Sequence, residues 1–164
     1  MRAGLICLFL SFATASAFAQ AQKIQRIDIL EYGLYTADEK DCYRDDLGIQ
    51  RCERTNVRHA ATTLTVPAQH GVQFGIKFRA VGAPNGATVN VKRVWLLPPA
   101  GLNSPASKQP LLRLNRDDTV TIGKADFASY IFDDPWELVP GIWTFEYWVG
   151  DRKLLSKSFT VVAQ

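Results

Sequence analysis

The chain has 164 residues, of which 11% are aromatic, and it carries 19 Lys and Arg against 16 Asp and Glu. This length predicts one folded domain. Its cations are scattered singly among acids, so the sequence lacks the clustered positive charge that phosphate neutralisation needs, and nucleic acid is excluded as a partner.

The first 19 residues have the pattern of a secretory signal peptide. Arg2 supplies a positive start, residues 5–12 form an apolar run, and Ala17-Phe18-Ala19 gives the small-x-small pattern that signal peptidase recognises. The run is shorter than the ~20 residues that span a bilayer, and no later segment is apolar enough to do so. We therefore expect a mature chain of residues 20–164, periplasmic or secreted and without membrane insertion. An uncleaved N-terminal anchor is the alternative.

Removal of the signal leaves two of the three cysteines, Cys42 and Cys52. An even pair in an exported chain predicts a disulfide. This bond would close a charged, polar loop over residues 36–51. Two free thiols, or metal or redox chemistry, are the weaker alternatives, because the spacing is not Cys-x-x-Cys and only His59 and His70 remain as nitrogen ligands.

Alternation of apolar and polar side chains dominates the mature chain, and no helical period continues beyond a turn. Asn85-Gly86 and Gly150-Asp151 have the composition of tight turns. The proline-rich residues 98–110 predict a long surface connection, and 124–132 fits either a strand or a helical turn. Strands are predicted at 24–35, 61–66, 72–81, 87–97, 111–114, 119–122, 142–149 and 154–162.

Many short strands separated by turns predict an antiparallel sandwich or barrel. A Pro140-Gly141 turn precedes a strand of alternating aromatics, as in the last two strands of immunoglobulin-like sandwiches. In those folds an aromatic residue fixes the corner before the penultimate strand, and Trp143 is predicted to do so here. The expected fold class is therefore all-β, an antiparallel immunoglobulin-like β-sandwich over residues 20–164, with a closed barrel as the alternative.

Several segments resemble an uncharacterised bacterial family, domain of unknown function number 3859. The resemblance spans most of residues 26–162 and is densest at 132–162, whereas residues 36–52 do not map onto the family pattern. It implies an exported, immunoglobulin-like domain and carries no activity. The segments that carry it are Glu31-Tyr32-Gly33-Leu34-Tyr35, Gly71-Val72-Gln73-Phe74-Gly75, Pro98-Pro99-Ala100-Gly101-Leu102 and the run from Phe132 to Phe145.

No specific catalytic set or cofactor motif is present. His59 and His70 lie outside any nucleophile motif. Asp133, Asp134 and Glu137 offer hard oxygen ligands, but the Asp-x-Asp-x-Asp-Gly loop that would make calcium binding specific is missing. Calcium binding there stays open, and the sequence predicts a protein that is not an enzyme.

Aromatic density is the feature that suggests recognition. Seven aromatic residues fall within residues 130–148. Trp136 and Trp148 fit the buried alternation least well, so they are the candidate binding residues. The first hypothesis is a non-catalytic interaction module that presents a sheet face or end loops to a protein or envelope partner. A carbohydrate-binding domain using exposed Trp is the alternative, and a small hydrolase ranks lowest. Partner identity and oligomeric state stay open.

Overall fold

A computed structural model describes residues 23–163, so the predicted signal peptide lies outside the described residues. Within this range no helix is long and apolar enough to cross a membrane. The described residues form nine strands and one turn of 3-10 helix at Pro135–Glu137. The strands are β1 (Lys23–Arg44), β2 (Gln50–Ala61), β3 (Thr65–Pro67), β4 (Gln73–Ala83), β5 (Thr88–Leu96), β6 (Arg113–Thr121), β7 (Ala125–Ile131), β8 (Gly141–Val149) and β9 (Arg152–Val162).

The strands make two sheets, in the orders β2-β1-β4-β7 and β3-β9-β8-β5-β6. Neighbouring strands are antiparallel except for β3 and β9, which run parallel. The chain crosses repeatedly between the sheets, as in an immunoglobulin-like sandwich. The predicted fold class is therefore confirmed.

The core consists of alternate side chains from facing strands of the two sheets. Phe74 and Phe78 of β4 are fully buried, as are Trp143 and Tyr147 of β8. Ring centroids lie 5.9 Å apart for Phe74 and Trp143 and 4.7 Å apart for Phe78 and Tyr147. Burial of such large aromatic surfaces stabilises the packing of the two sheets against each other.

The charged loop predicted for residues 36–51 is wrong, because this segment is mostly strand. β1 continues to Arg44, turns, and returns as β2. The charges that suggested a loop form ion pairs between the two strands, with Arg54 2.9 Å from Glu39 and Lys40 3.4 Å from Glu53. Opposite charges across an antiparallel pair stabilise a hairpin that has little apolar surface. We call residues 36–58 the hairpin arm.

Two further strand predictions need correction. The predicted strand over 61–66 is divided, because β2 ends at Ala61 whereas Thr65 begins β3 beside β9 in the other sheet. The strands predicted separately at 111–114 and 119–122 are joined, because β6 runs without a break from Arg113 to Thr121. Asp118, between the two predicted strands, lies 3.4 Å from Arg93 of β5. Residues 124–132, for which a strand or a helical turn was expected, contain strand β7.

The hairpin arm lies against the body of the sandwich. Tyr35 at its base contacts Phe127 of β7, with ring centroids 4.7 Å apart. Near the tip, Arg44 forms a 2.6 Å ion pair with Asp134, and Ser104 Oγ donates a 2.5 Å hydrogen bond to the carbonyl of Leu47. Ile49 is buried and joins the core. These contacts fix the arm beside β7 and the 3-10 turn.

Candidate binding surfaces

A disulfide joins Cys42 of β1 to Cys52 of β2 and fastens the two strands of the hairpin arm. The predicted pairing is thus present in the structure. Glu39 lies beside these two sulfur atoms, but cysteines joined in a disulfide have no thiolate to offer a metal. A structural disulfide is typical of chains that leave the reducing cytosol.

Trp148 stands on the outer face of the five-stranded sheet, where it is half-buried. Its indole Nε1 donates a 2.9 Å hydrogen bond to Glu146 Oε2. Lys153 Nζ donates to the other carboxylate oxygen at 2.8 Å and lies 5.3 Å from the Trp148 ring centroid. Glu146 is only 3% exposed, so a buried carboxylate fixes both the indole and the ammonium group. The hydrogen bond to Glu146 therefore fixes the orientation of the indole.

A groove of about 710 Å³ opens beside this fixed indole. Lys92 lies directly opposite Trp148 across the β5–β8 pair, and Asp117 opposite Lys92 across the β5–β6 pair. Amide, hydroxyl and charged groups therefore surround one aromatic ring on an open sheet surface. The residues that line the groove are Asn90, Val91, Lys92, Asp117, Asp118, Thr119, Trp148 and Gly150.

Trp136, the other candidate binding residue, lies in the 3-10 turn before β8. It is half-buried and packs against the hydrophobic core. β8 begins at Gly141, and the seven residue steps from there to Trp148 span about 23 Å of extended chain. The two indoles are thus at opposite ends of β8, and the structure does not bring them into one site.

Of the three acidic residues considered for calcium, Glu137 forms an internal cap on the backbone that leads into the 3-10 turn. Glu137 is fully buried and accepts hydrogen bonds from the Tyr130 hydroxyl at 2.7 Å and from the backbone N–H groups of Asp133 at 2.6 Å and Asp134 at 3.0 Å. The Asp134 carboxylate is paired with Arg44. Two of the three carboxylates therefore already have protein partners, which leaves Asp133 as the group with the most free oxygen capacity.

Burial changes the proton affinity of these acids. It raises the pKa of Glu137 above the ordinary value, although the three hydrogen bonds oppose the shift. It also raises the pKa of Asp133 to about 6, with additional contributions from the negative charges of Glu39 and Glu137. Asp133 accepts one long hydrogen bond, 3.4 Å from Gln50 Nε2. The Asp133 carboxyl group is therefore the member of this cluster whose raised pKa lies in the mildly acidic range.

His59 lies in a cavity of about 230 Å³ that two carboxylates, Glu31 and Asp126, also line. Its Nε2 is 3.1 Å from the carbonyl oxygen of Tyr32 and 3.5 Å from the hydroxyl of Thr62. A distance of 3.5 Å is too long for an activated nucleophile–base pair, and among the described residues no Ser or Thr lines this cavity. His70 is exposed in the turn before β4.

Sequence reasoning missed the residues that fix Trp148. Glu146 precedes Trp148 by two positions on the same strand face, a spacing that alternation does predict. Its burial was not predictable, because it depends on Lys153 from β9 and on the indole itself covering the carboxylate.

Two packed, mainly antiparallel sheets between which the chain crosses repeatedly define an immunoglobulin-like β-sandwich. More particularly, the chain belongs to the family described as domain of unknown function (DUF3859), whose model matches residues 23–161. It is also similar to an immunoglobulin-like protein from Pseudomonas aeruginosa, whose crystal structure was determined at 1.50 Å resolution. The two are 26% identical, with a TM-score of 0.60 over 88% of this chain and 100% of that chain. No curated protein matches the chain.

Proposed function

We propose that this protein is an exported, non-catalytic binding module that holds a protein or envelope partner on the outer face of its five-stranded sheet. The observation that carries the proposal is the pre-oriented Trp148 beside an open groove of about 710 Å³. A half-buried indole held by a hydrogen bond loses little conformational freedom on binding, and Trp is among the residues that dominate binding energies. Export to the periplasm or the exterior is part of the proposal and is supported by the disulfide.

The two sheets are not equally available to a partner. The hairpin arm lies beside β7 of the four-stranded sheet, since Tyr35 at its base contacts Phe127 and Arg44 near its tip pairs with Asp134. On the five-stranded sheet, by contrast, Ile142 is 53% exposed and Trp148 lines the open groove. The polar surroundings of the groove suit a wet, reversible interface more than a permanent one.

The non-catalytic part of the proposal is supported by the cavity around His59, whose described lining residues include no Ser or Thr. An immunoglobulin-like fold in a family of unknown function is typical of proteins that are not enzymes. Because a fold does not by itself define function, this support comes from the site first and from the fold second.

A carbohydrate is the second candidate ligand for the same groove. The indole offers a flat apolar surface, and Asn90, Asp117 and Thr119 offer hydrogen-bond donors and acceptors around it. An aromatic platform with a polar rim suits the apolar face and the hydroxyl edge of a sugar ring.

The mature chain, residues 20–164, should be used as bait against the envelope fraction of its source organism and on a glycan array. Trp148→Ala and Lys92→Glu should each remove the captured partner, because both side chains line the groove. Leu30→Ala is the matched control, since Leu30 is an exposed apolar residue of β1 in the four-stranded sheet. Circular dichroism establishes that each variant is folded.

A protein captured from the envelope fraction by the wild type and by neither groove variant favours a protein partner. Binding to the glycan array that both groove variants lose favours a glycan. Protein capture or glycan binding that both groove variants retain would contradict the proposal. A folded wild type that binds nothing in either experiment would contradict it as well.

A further inference from the structure

A second cavity, of about 300 Å³, lies between the hairpin arm and the side of the sandwich. Its walls come from three parts of the fold: the arm, the β5–β6 pair of the five-stranded sheet, and β7 at the edge of the other sheet. This volume is at the lower end of the range for small-molecule sites, which is about 300–1,000 Å³. The lining residues are Arg51, Cys52, Arg54, Val57, Arg93, Trp95, Leu114, Asn115, Arg116, Asp126, Phe127 and Ser129.

Two of the four arginines are placed against each other by the sheet. Arg93 of β5 and Arg116 of β6 are register partners in an antiparallel pair. Each lies two positions along its strand from a buried residue, Trp95 or Leu114, so both are on the core-facing side of the sheet, where Arg93 is half-buried and Arg116 is exposed on the edge strand. Like charges directly opposite one another destabilise a sheet. Arg93 is relieved by Asp118 at 3.4 Å, whereas Arg116 has no ion pair among residues 23–163.

The other two arginines are held by carboxylates of the arm itself. Arg51 pairs with Asp45 at 2.7 Å, and Arg54 pairs with Glu39 at 2.9 Å. A guanidinium has five N–H donors, so one carboxylate contact fixes its position and leaves donors for a ligand. The Nε of Arg54 is buried without a hydrogen-bond partner in the described part of the chain. Buried unpaired donors are rare in folded proteins and mark places where a ligand or water completes the bonding.

The composition of the wall defines the chemistry of an occupant. Four guanidinium groups face one carboxylate, that of Asp126, among the lining residues. The flat fork of arginine matches the oxygen atoms of carboxylate, phosphate and sulfate groups, often with two parallel hydrogen bonds. Trp95 and Phe127 add an apolar surface beside these donors. The walls therefore suit a small molecule with an oxyanion at one end and room for a short apolar body.

We propose that this cavity, roofed by the disulfide-fastened arm, binds a small molecule through an oxyanion group. The site is separate from the Trp148 groove, because no residue lines both. A bound oxyanion would neutralise the facing Arg93–Arg116 pair and complete the bonding of Arg54. This inference does not depend on the partner proposed for the outer sheet face.

Calorimetric titration of the mature protein at fixed ionic strength tests the inference with four probes: inorganic phosphate, phenyl phosphate, benzoate and phenol. We expect saturable binding of at least one anion and none of phenol, because phenol lacks the oxyanion. Tighter binding of phenyl phosphate than of inorganic phosphate identifies an organic ester as the ligand type. Equal binding identifies a free oxyanion, and preference for benzoate identifies a carboxylate. Each of these outcomes supports the proposal.

Variants locate the binding in this cavity. Arg116→Gln should weaken the affinity for the best anion at least tenfold, and Arg116→Lys should have an intermediate effect because it keeps the charge and loses the fork. Arg113→Gln is the control, since Arg113 lies three positions earlier on β6, is exposed, and is outside the cavity. Trp148→Ala should leave the affinity unchanged. Failure of every anion to bind up to about 10 mM, where a useful Kd would be visible, would overturn the proposal, as would equal affinities of the wild type and the folded Arg116→Gln variant.

Discussion

The indole Nε1 of Trp143 donates a 3.0 Å hydrogen bond to the backbone carbonyl of Val139, four residues earlier. This bond closes the Pro140-Gly141 corner and ties the start of β8 to the segment that follows the 3-10 turn. Trp143 is fully buried and contacts Phe74, Tyr130 and Phe132. It thus performs the corner role predicted for it, with an indole N–H where many immunoglobulin-like domains use a tyrosine hydroxyl.

Trp143→Phe should lower the free energy of unfolding by about 2–4 kcal/mol. The substitution leaves the Val139 carbonyl without its partner and creates a small cavity in the core. Urea denaturation followed by circular dichroism measures the change. Trp136→Phe is the comparison, because the Trp136 indole in the neighbouring turn is only half-buried. It should lower the free energy of unfolding by less than Trp143→Phe does. Equal effects of the two substitutions would show that the corner bond contributes nothing specific.

Glu137→Ala should destabilise the fold by about 3 kcal/mol or more, because it leaves the Tyr130 hydroxyl and two backbone N–H groups without an acceptor. Glu137→Gln should cost about 1 kcal/mol or less. Its amide oxygen can accept from the backbone while its amide nitrogen donates to Tyr130. Thermal unfolding of the two variants makes the comparison, and an Ala variant no less stable than the Gln variant would refute the capping role.

The pKa of about 6 for Asp133 predicts a pH-dependent stability. Because the folded-state pKa lies above the ordinary value of 3.8, the folded protein binds a proton more tightly than the unfolded chain. The stabilisation of the folded state by protonation of Asp133 is therefore complete below about pH 4, and it is lost as the pH rises through 6. Since the carboxyl group is partly exposed, solvent screening limits the loss to about 1 kcal/mol.

Asp133→Asn removes this titration, so its unfolding free energy should fall less than that of the wild type between pH 4 and pH 7. Denaturation midpoints at several pH values give the two profiles. Glu39, Glu137, Asp134 and Arg54 also act on this carboxyl group and remain in the variant. Asp117→Asn, at an exposed position on β6, is the control and should follow the wild-type profile. Parallel profiles for wild type and Asp133→Asn would contradict the assignment.

Replacing Cys42 and Cys52 together by Ser should lower the unfolding free energy by up to about 3 kcal/mol, the chain-entropy value for a short closed loop. The loss should concentrate in the hairpin arm, since the bond joins its two strands. Hydrogen exchange should therefore accelerate in residues 36–58 far more than in β4 or β8. Uniform acceleration would instead mean that the arm and the sandwich unfold as one unit.

The sequence by itself determined the all-β class and most of the core. Alternation placed Phe74, Ile76 and Phe78 on one side of β4, and Trp143, Phe145 and Tyr147 on one side of β8, and all six are buried. These predictions succeed because a half-buried strand puts every second side chain into the same apolar interior, so two-residue periodicity is written in the local sequence. The pairing of Cys42 with Cys52 followed from their number alone.

Only the tertiary structure decided what the charged segments do. Residues 36–51 have the composition of a loop, yet they form strands because their partners, such as Glu39 with Arg54, become neighbours only after the hairpin closes. The cavity with Arg93 opposite Arg116 likewise needs three separate elements to meet. Long-range ion pairs leave no periodic trace in a sequence, whereas burial on one strand face does, and this difference separates what was predictable from what was not.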